Sequence, residues 1–298
     1  WIVAGSSSPE RSITWMNRMF VDTSCSERVL GPLPKPQRAN GKVRMAFRRR
    51  DGATHLNRLH QDGSMKVRFP RTSDGIPEAV LINTAGGMTG GDEFGTEVQL
   101  DRGARATLTT QACERIYKST GPLVAVANRI GLQAGARLDW LPQETILFDG
   151  GRMARRLEAD LAGNAELLIS EATVFGRAAM GETVQSGTFR DRWRISRDGK
   201  LVFADELRFQ GNIACQLMRP AILAGNAAMA TVLLVASECE RLLEPVRKII
   251  GNAGGASAWG GKLLVRLAAA DGFSLRRVLI PLLAELSMGR SLPKVWQL

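Results

Sequence analysis

Histidine and paired cysteine, which often bind metal ions, are scarce in this sequence. The 298 residues include two histidines, His55 and His60. They lie five positions apart, whereas two ligands on one helix face need a spacing of four. Strand alternation would point them to opposite faces, and we expect both at the surface.

No cysteine pair forms C-x-x-C, which excludes zinc ribbons and thioredoxin-type sites. We therefore expect no stably bound metal or cofactor. The cysteines are Cys25, Cys113, Cys215 and Cys239.

Long apolar runs and aromatic residues are also few. The longest apolar stretch, residues 221–236, is too short to span a membrane and contains Asn226. The first residues lack the regions of a signal peptide, and widely spaced cysteines are typical of reduced thiols. We expect a soluble cytoplasmic protein without membrane contact. Aromatic residues make up 6% of the chain, which leaves few platforms for stacking bases.

Acidic residues are absent from residues 35–50, a segment rich in lysine and arginine, and the whole chain has a formal net charge of +11. Basic charge suits a nucleic acid, a membrane surface or an acidic protein partner. A basic, β-rich RNA-binding protein is therefore one alternative hypothesis, although the shortage of aromatic rings disfavours nucleic acid.

Two glycine-rich stretches come near to nucleotide-binding motifs and depart from them. In NTAGGMTGGD, residues 83–92, the glycines are not at the spacing of G-x-G-x-x-G. In GASAWGGKLL, residues 255–264, Ala256 replaces the first glycine of a Walker A loop and Leu263 replaces its hydroxyl residue. The first stretch is interpreted as a tight crossing between strands, where glycine permits positive φ and close backbone approach. Its glycines are Gly86, Gly87, Gly90 and Gly91.

Composition divides the chain into a tail and one domain. Residues 1–41 are rich in Ser, Pro and Gly and lack an apolar period, which predicts a disordered or mis-annotated tail. Residues 42–220 contain short alternating segments separated by glycine turns, which predicts a β-rich body. A sandwich, a barrel and a solenoid all remain possible, and no strict repeat is visible.

The carboxyl-terminal residues 221–298 predict a smaller α/β part. Apolar strands are predicted at 229–236 and 262–270, and a helix at 238–250. A second helix follows residue 272, with leucines at spacings of three and four. Pro281 lies inside this pattern and is expected to kink the helix or delay its start.

Acidic residues are the remaining candidates for chemistry. Glu144 and Asp149 flank an apolar Ile-Leu-Phe in LPQETILFDGGR, which allows a hydrolase hypothesis. Glu171 follows an apolar strand and needs a partner if it is buried; Arg115, Arg152 or Arg177 are the candidates. Structural ion pairing is favoured, with weak oxygen ligation of a divalent ion as the alternative.

The stretch TLTTQACERIYKST, residues 107–120, contains further polar side chains. It suits either the lining of a polar cavity or a strand that runs into a turn, with Glu114 and Lys118 as solvated charges. Nothing nearby in the sequence activates Cys113 as a nucleophile. Taken together, the candidates for an acidic conduit or a structural motif are Asp92, Gln111, Glu114, Glu144, Asp149 and Glu171.

Five of these stretches, in this order, resemble the UreD (UreH) family of urease accessory proteins. The resemblance covers about residues 42–298, as a single domain. Its carriers are INTAGGMTGGD (82–92), TLTTQACERIYKS (107–119), WLPQETILFDGGR (140–152), RDRWRISRDGKLVFADEL (190–207) and LPKVWQL (292–298).

The resemblance implies a non-enzymatic assembly factor. It implies binding to the urease structural subunits, UreF and UreG, and help with nickel insertion, with nickel in transit. For the fold, it implies a helically arranged two-layer β-strand body with a smaller α/β carboxyl-terminal part. One departure matters: where many members carry His-Pro-Pro before the glycines, this chain has Asn83, Thr84 and Ala85. A metal role for that histidine cannot be carried over, and no metal ligand is assigned.

Overall fold

A computed structural model describes residues 37–177 and 180–297 of the chain. Most of the predicted tail lies outside the described residues, so its prediction stays open. Strands dominate the described chain. They are β1 (Asn40–Arg50), β2 (Ala53–Gly63), β3 (Met65–Arg68), β4 (Glu78–Asn83), β5 (Glu93–Leu100), β6 (Arg105–Thr110), β7 (Glu114–Ile116), β8 (Val124–Leu132), β9 (Arg137–Trp140), β10 (Thr145–Leu147), β11 (Arg152–Leu161), β12 (Glu166–Phe175), β13 (Gly187–Arg197), β14 (Lys200–Gly211), β15 (Ala228–Val235), β16 (Gly254–Trp259) and β17 (Lys262–Ala269).

Helices are confined to the carboxyl-terminal third of the described chain. They are α1 (Ile213–Leu217), α2 (Leu243–Ile250) and α3 (Gly272–Leu286), with short 3-10 turns at Cys239–Leu242, Gly251–Ala253 and Lys294–Trp296. The predicted α/β carboxyl end is confirmed in β15, α2, β17 and α3.

The described strands form two sheets. Sheet A has the order β14-β13-β11-β8-β5-β1-β2. Sheet B has the order β16-β17-β15-β12-β9-β6-β4-β3, with β10 beside β12 and β7 beside β10. The prediction of a mainly β protein with two strand layers is confirmed.

The chain alternates between the sheets, so successive parallel strands of sheet A lie one coil apart. β5, β8, β11 and β13 begin at residues 93, 124, 152 and 187, which are 31, 28 and 35 residues apart. These strands are parallel to one another and to β1. In sheet B, β4, β6, β9 and β12 are likewise parallel. Because the coils differ in length, the sequence shows no strict repeat.

Antiparallel strands close this stack of coils at both ends. In sheet A, the hairpins β1–β2 and β13–β14 flank the parallel strands. In sheet B, β3 pairs with β4 at one end, and β15, β17 and β16 follow β12 at the other. The parallel strands therefore lie between antiparallel ends.

Strand alternation produces the core between the sheets. In β1, Val43, Met45 and Phe47 point inward and are buried, whereas Lys42 and Arg44, which alternate with them, are exposed. Inward residues of both sheets form one continuous apolar cluster. A period of two therefore places every second residue of sheet A in the interior.

The helices cover the other face of sheet B and create a second core. All residues of β15 are buried, because one face meets sheet A and the other meets the helices. α3 contributes five buried leucines to the second core, and Trp296 is fully buried there. The helix begins at Gly272, capped by the Asp271 carboxylate, and runs through Pro281 to Leu286. The expectation of a late start is wrong, because leucine packing on either side of Pro281 offsets its lost hydrogen bond.

A buried charge cluster fastens the end of α3 to sheet B. The Arg137 guanidinium contacts Asp139 at 3.2 Å and Glu166 at 2.8 Å, and donates to the Leu286 carbonyl at 3.0 Å. Arg290 reaches the second oxygen of Asp139 at 2.5 Å. The last turn of α3 is thereby tied to β9 and β12.

Replacing Leu279 by alanine should lower the free energy of unfolding by about 2–5 kcal/mol, because the side chain is fully buried in the second core. Phe273→Ala is the matched control on the same helix, since Phe273 is 74% exposed and should change stability by less than about 0.5 kcal/mol. Urea denaturation measures both. Equal losses for the two variants would contradict the packing of α3.

Candidate functional site: a polar interior between the sheets

A buried guanidinium shared by two carboxylates lies between the sheets. Arg155 of β11 makes two hydrogen bonds to Asp191 of β13, at 3.0 and 2.6 Å. The same guanidinium approaches Glu171 of β12, in the opposite sheet, at 2.5 Å. All three side chains are buried, so this cluster joins sheet A to sheet B through charge.

Glu171 is the less satisfied of the two carboxylates. Its Oε1 accepts a hydrogen bond from the Trp140 indole at 3.0 Å. Its Oε2 lies close to Arg155 but receives no aligned hydrogen bond, and Arg155 Nη1 donates instead to Thr145 at 3.3 Å. The hydroxyl of Thr231, the register partner of Glu171 on the neighbouring strand β15, also lacks a hydrogen-bond partner. One guanidinium thus serves two carboxyl groups, which leaves Glu171 without a cation of its own and leaves unpaired polar atoms in the interior.

A small cavity of about 60 Å³ adjoins this cluster. Since one water needs roughly 10–15 Å³ on this measure, the cavity has room for a few waters. Both sheets contribute polar side chains to its wall. They are Thr96, Asn128 and Arg155 from sheet A, and Thr110, Glu114, Gln143, Thr145 and Glu171 from the side of sheet B.

The partner of Glu171 is not one of the arginines suggested by the sequence. Arg115 is exposed on β7, Arg152 donates to the Gly121 carbonyl, and Arg177 pairs with Glu182. Arg155 takes the role instead, because the coil brings the middle of β11 opposite the middle of β12.

Glu144 belongs to a second network that links the loop before β10 to α3. Its Oε1 lies 3.2 Å from Arg276 Nε, and its Oε2 accepts from the Cys113 thiol at 3.3 Å. Arg276 also donates to Gln143 at 2.6 Å and lies over the Trp296 ring. Trp296 in turn donates to the Leu141 carbonyl at 2.9 Å. The start of LPQETILFDGGR is therefore joined to the carboxyl terminus.

The other acidic candidates lie apart from the interior cluster. Asp149 accepts from the Ser186 backbone at 2.9 Å, on the far side of β10 from Glu144. No described contact joins Asp149 to Glu144. Asp92 accepts from the backbone of Thr89 and of Ala39. Of the six sequence candidates, Glu114 and Glu171 line the cavity.

Residues 107–120 line the cavity only in part. Glu114 accepts from Asn83 at 3.0 Å, and burial raises the pKa of its carboxyl. The interpretation of Glu114 as a solvated charge is therefore wrong, whereas Lys118 is exposed. Gln111 is exposed as well. Burial, followed by the charge of nearby Glu144, raises the pKa of the Cys113 thiol to about 11, so it is protonated near neutral pH.

The glycine cluster forms a close crossing beside the cavity. Gly86, Gly87 and Gly91 have positive φ. A Cβ atom on Gly90 would clash with Ser119 Oγ and with the Pro122 carbonyl oxygen. The backbone at Gly90 and the loop that contains Ser119 and Pro122 therefore approach so closely that only glycine fits. The second glycine stretch is the turn of the β16–β17 hairpin, where Gly260 and Gly261 both have positive φ.

Both histidines are exposed on β2, as expected, but the prediction of opposite faces is wrong. His60 pairs with Arg44 and His55 pairs with Arg48, and both arginines lie on the outer face of β1. The register shift between Ala46 and Phe47 adds one residue to β2, so the alternation of faces is offset by one position between the two histidines. Both histidines therefore share one face.

Sequence reasoning missed the two sheet A members of the charged cluster, although a signal was present. Arg155 occupies one of the alternate, inward-facing positions of β11, between the apolar residues Met153 and Leu157. Asp191 occurs likewise between Phe189 and Trp193. A charged residue at an inward-facing position of a strand indicates that a partner of opposite charge is buried beside it.

In residues 37–177 and 180–297, no group of three or more His, Cys, Asp or Glu side chains is arranged to hold a metal ion. No helix in the same part of the chain is long and apolar enough to cross a membrane.

These features describe a two-layer β-coil protein with a polar interior built around ion pairs. A family model described as UreD urease accessory protein matches residues 39–297. A urease accessory protein UreD from Rhizobium etli is 51% identical over 271 residues, covering 91% of this chain and 99% of the relative. The Rhizobium johnstonii protein of that name is 52% identical, covering 89% and 97%, and the Brucella suis protein is 48% identical, covering 89% and 96%.

The chain therefore belongs to the UreD family of urease accessory proteins. It is an assembly factor rather than an enzyme, and the hydrolase hypothesis for Glu144 and Asp149 falls with that conclusion.

Arg155→Met should lower the free energy of unfolding by about 3–5 kcal/mol near neutral pH, because it leaves two buried carboxylates without a cation. Combining it with Glu171→Gln and Asp191→Asn should restore much of the loss, since no charge then remains unpaired. Chemical denaturation of the single and triple variants provides the measurement. A triple variant no more stable than Arg155→Met would show that the charges are not the cause.

The Glu171 carboxyl should make stability depend on pH. Burial raises its pKa to about 7, with Asp191 adding to the rise and Arg155 and Trp140 opposing it. The folded protein thus holds more protons than the unfolded chain between about pH 4.5 and 7, so this contribution to stability is present below that window and lost as pH rises through it. Glu171→Gln should remove this part of the pH dependence in urea titrations. Parallel pH profiles for the two proteins would refute the assignment.

Proposed function

We propose that this protein is a urease-maturation scaffold that binds the urease apoprotein together with UreF and UreG and supports nickel insertion into urease. Membership of the family and identity of about half to proteins named urease accessory protein UreD support this role. The scaffold holds no cofactor stably, and nickel is its cargo. The cysteine pattern supports action in the cytoplasm.

The sharing of one buried cation by two carboxyl groups is the observation that carries a role in nickel passage. Arg155 offsets one of the two carboxylates of Glu171 and Asp191. A divalent ion close to Glu171 Oε2 would supply the missing positive charge. Carboxylate oxygens suit weak and reversible binding of such an ion better than thiolate or imidazole would, and a carrier must release its cargo.

The cavity wall is mainly apolar, with Met65, Met88 and Phe94 among its members, so the case for passage of an ion rests on its polar side chains. Thr96, Asn128 and Thr145 line the same cavity as Glu171. Glu114 extends the polar wall toward the partly exposed Asn83. Polar atoms thus continue from the buried cluster toward the surface beside the glycine crossing.

Glu171→Gln should lower the nickel content of urease several-fold while the yield of the complex stays near that of the wild type. Glutamine keeps the size of the side chain and its acceptor for Trp140, and removes the charge. The variant is co-expressed with the urease subunits, UreF and UreG. Nickel per urease, the melting temperature of the variant and the pull-down yield are then measured.

Asp139→Asn is the matched control, because Asp139 is also a buried carboxylate held by arginines but lies outside the cavity. It should lower the melting temperature without lowering nickel per assembled complex. If nickel content falls only when the complex also falls apart, the interior acids are structural and the passage hypothesis is wrong.

A further inference from the structure

The outer face of sheet A carries a trough of about 530 Å³ that is separate from the interior cavity. Its floor consists of small residues on neighbouring strands: Gly95 of β5, Ala125 and Ala127 of β8, and Ala154 of β11. The register places Gly95 beside Ala127 and Ala125 beside Ala154. Because long side chains surround these small ones, the sheet surface is hollow here.

Basic side chains form both walls of the trough. Arg156 of β11 and Arg192 of β13 are register partners on one side, and Lys42 of β1 lies on the other. None of the three makes a salt bridge in the described residues, although neighbouring arginines do. Like charges on adjacent strands repel each other. Glu206, the register neighbour of Arg192 on β14, pairs with Arg190 instead, so this repulsion is only partly offset and an anionic partner would relieve the rest.

Ion pairs close one end of the trough. Arg44 contacts Glu97 at 3.2 Å, and Arg129 contacts Glu158 at 3.7 Å. These four residues form one row across the strands, two residues further along than the row of Lys42 and Arg156. The unpaired positive charge is thus concentrated over the alanine and glycine floor.

We propose that this trough binds an acidic α-helix of a protein partner. Three strand spacings separate β11 from β1, which is about 14 Å at the usual distance between strands. A helix with its side chains is about 10–12 Å across, so one helix fits between the arginine wall and Lys42. Glutamates or aspartates on its two sides would meet the unpaired cations.

Other occupants match the trough less well. A single-stranded nucleic acid would need aromatic rings on which to stack its bases. The nearby ring of Phe94 is buried, so it offers no stacking surface. Residues 1–36 carry three acidic and four basic side chains, and a second copy of this chain is itself strongly basic. An acidic partner is the complementary choice.

The test uses a fluorescein-labelled, alanine-based helical peptide of about 14 residues, roughly 21 Å long, with glutamates along two sides. Fluorescence anisotropy should show salt-sensitive binding to the full chain. Arg156→Glu with Arg192→Glu should weaken binding by about ten-fold, or about 1.4 kcal/mol. Arg71→Glu with Arg219→Glu makes the same change in net charge at exposed positions outside the trough and should leave binding nearly unchanged.

Ala127→Arg separates a shaped trough from diffuse attraction. It adds positive charge but fills the floor, so the trough predicts weaker binding and diffuse attraction predicts stronger binding. Circular dichroism spectra serve as the control that each variant is folded. Equal losses in the two double variants, stronger binding by Ala127→Arg, or a labelled single-stranded RNA that outcompetes the peptide would each overturn the proposal. None of these outcomes depends on nickel transfer through the interior.

Discussion

The sharing of Arg155 between Asp191 and Glu171 constrains the rest of the interior. Three charges buried between two apolar sheets are tolerated only if each has a partner. Asp191 is its neighbour in register on β13, whereas Glu171 must approach from sheet B. The two sheets are thus held face to face at this point. The polar side chains around the cluster cannot interlock as leucines do, and a small cavity remains beside it.

The same strands of sheet A present different chemistry on their two faces. Consecutive residues Arg155 and Arg156 point to the interior and to the outer trough, and Asp191 and Arg192 do the same. A slip of one residue in either strand would exchange the two faces. Register is therefore specified by charge as well as by the apolar core. This dual use also explains why dense charge on these strands is compatible with a well-packed interior.

Much of the fold could be predicted from local pattern, because alternation and leucine spacing are visible within ten residues. The strand body and α3 follow from such patterns. Partners distant in sequence could not be predicted in this way: Arg155 and Asp191 are 36 residues apart, and Arg276 is 133 residues from Gln143. The bulge in β2 gave no sequence signal, and it reversed the predicted faces of the histidines. Acid candidates were identified by type, but their partners depend on how the coils stack.

The antiparallel ends of the coil stack have a consequence for assembly. A stack of parallel coils has no intrinsic length, since each coil offers its neighbour the same kind of open edge. In this chain the edge of sheet A after β13 is taken by β14, and the edge before β1 is taken by β2, whose charged residues point to solvent. The hairpins thus act as terminators that fix the number of coils. Without them, the geometry that builds one molecule would also permit end-to-end growth into a fibre.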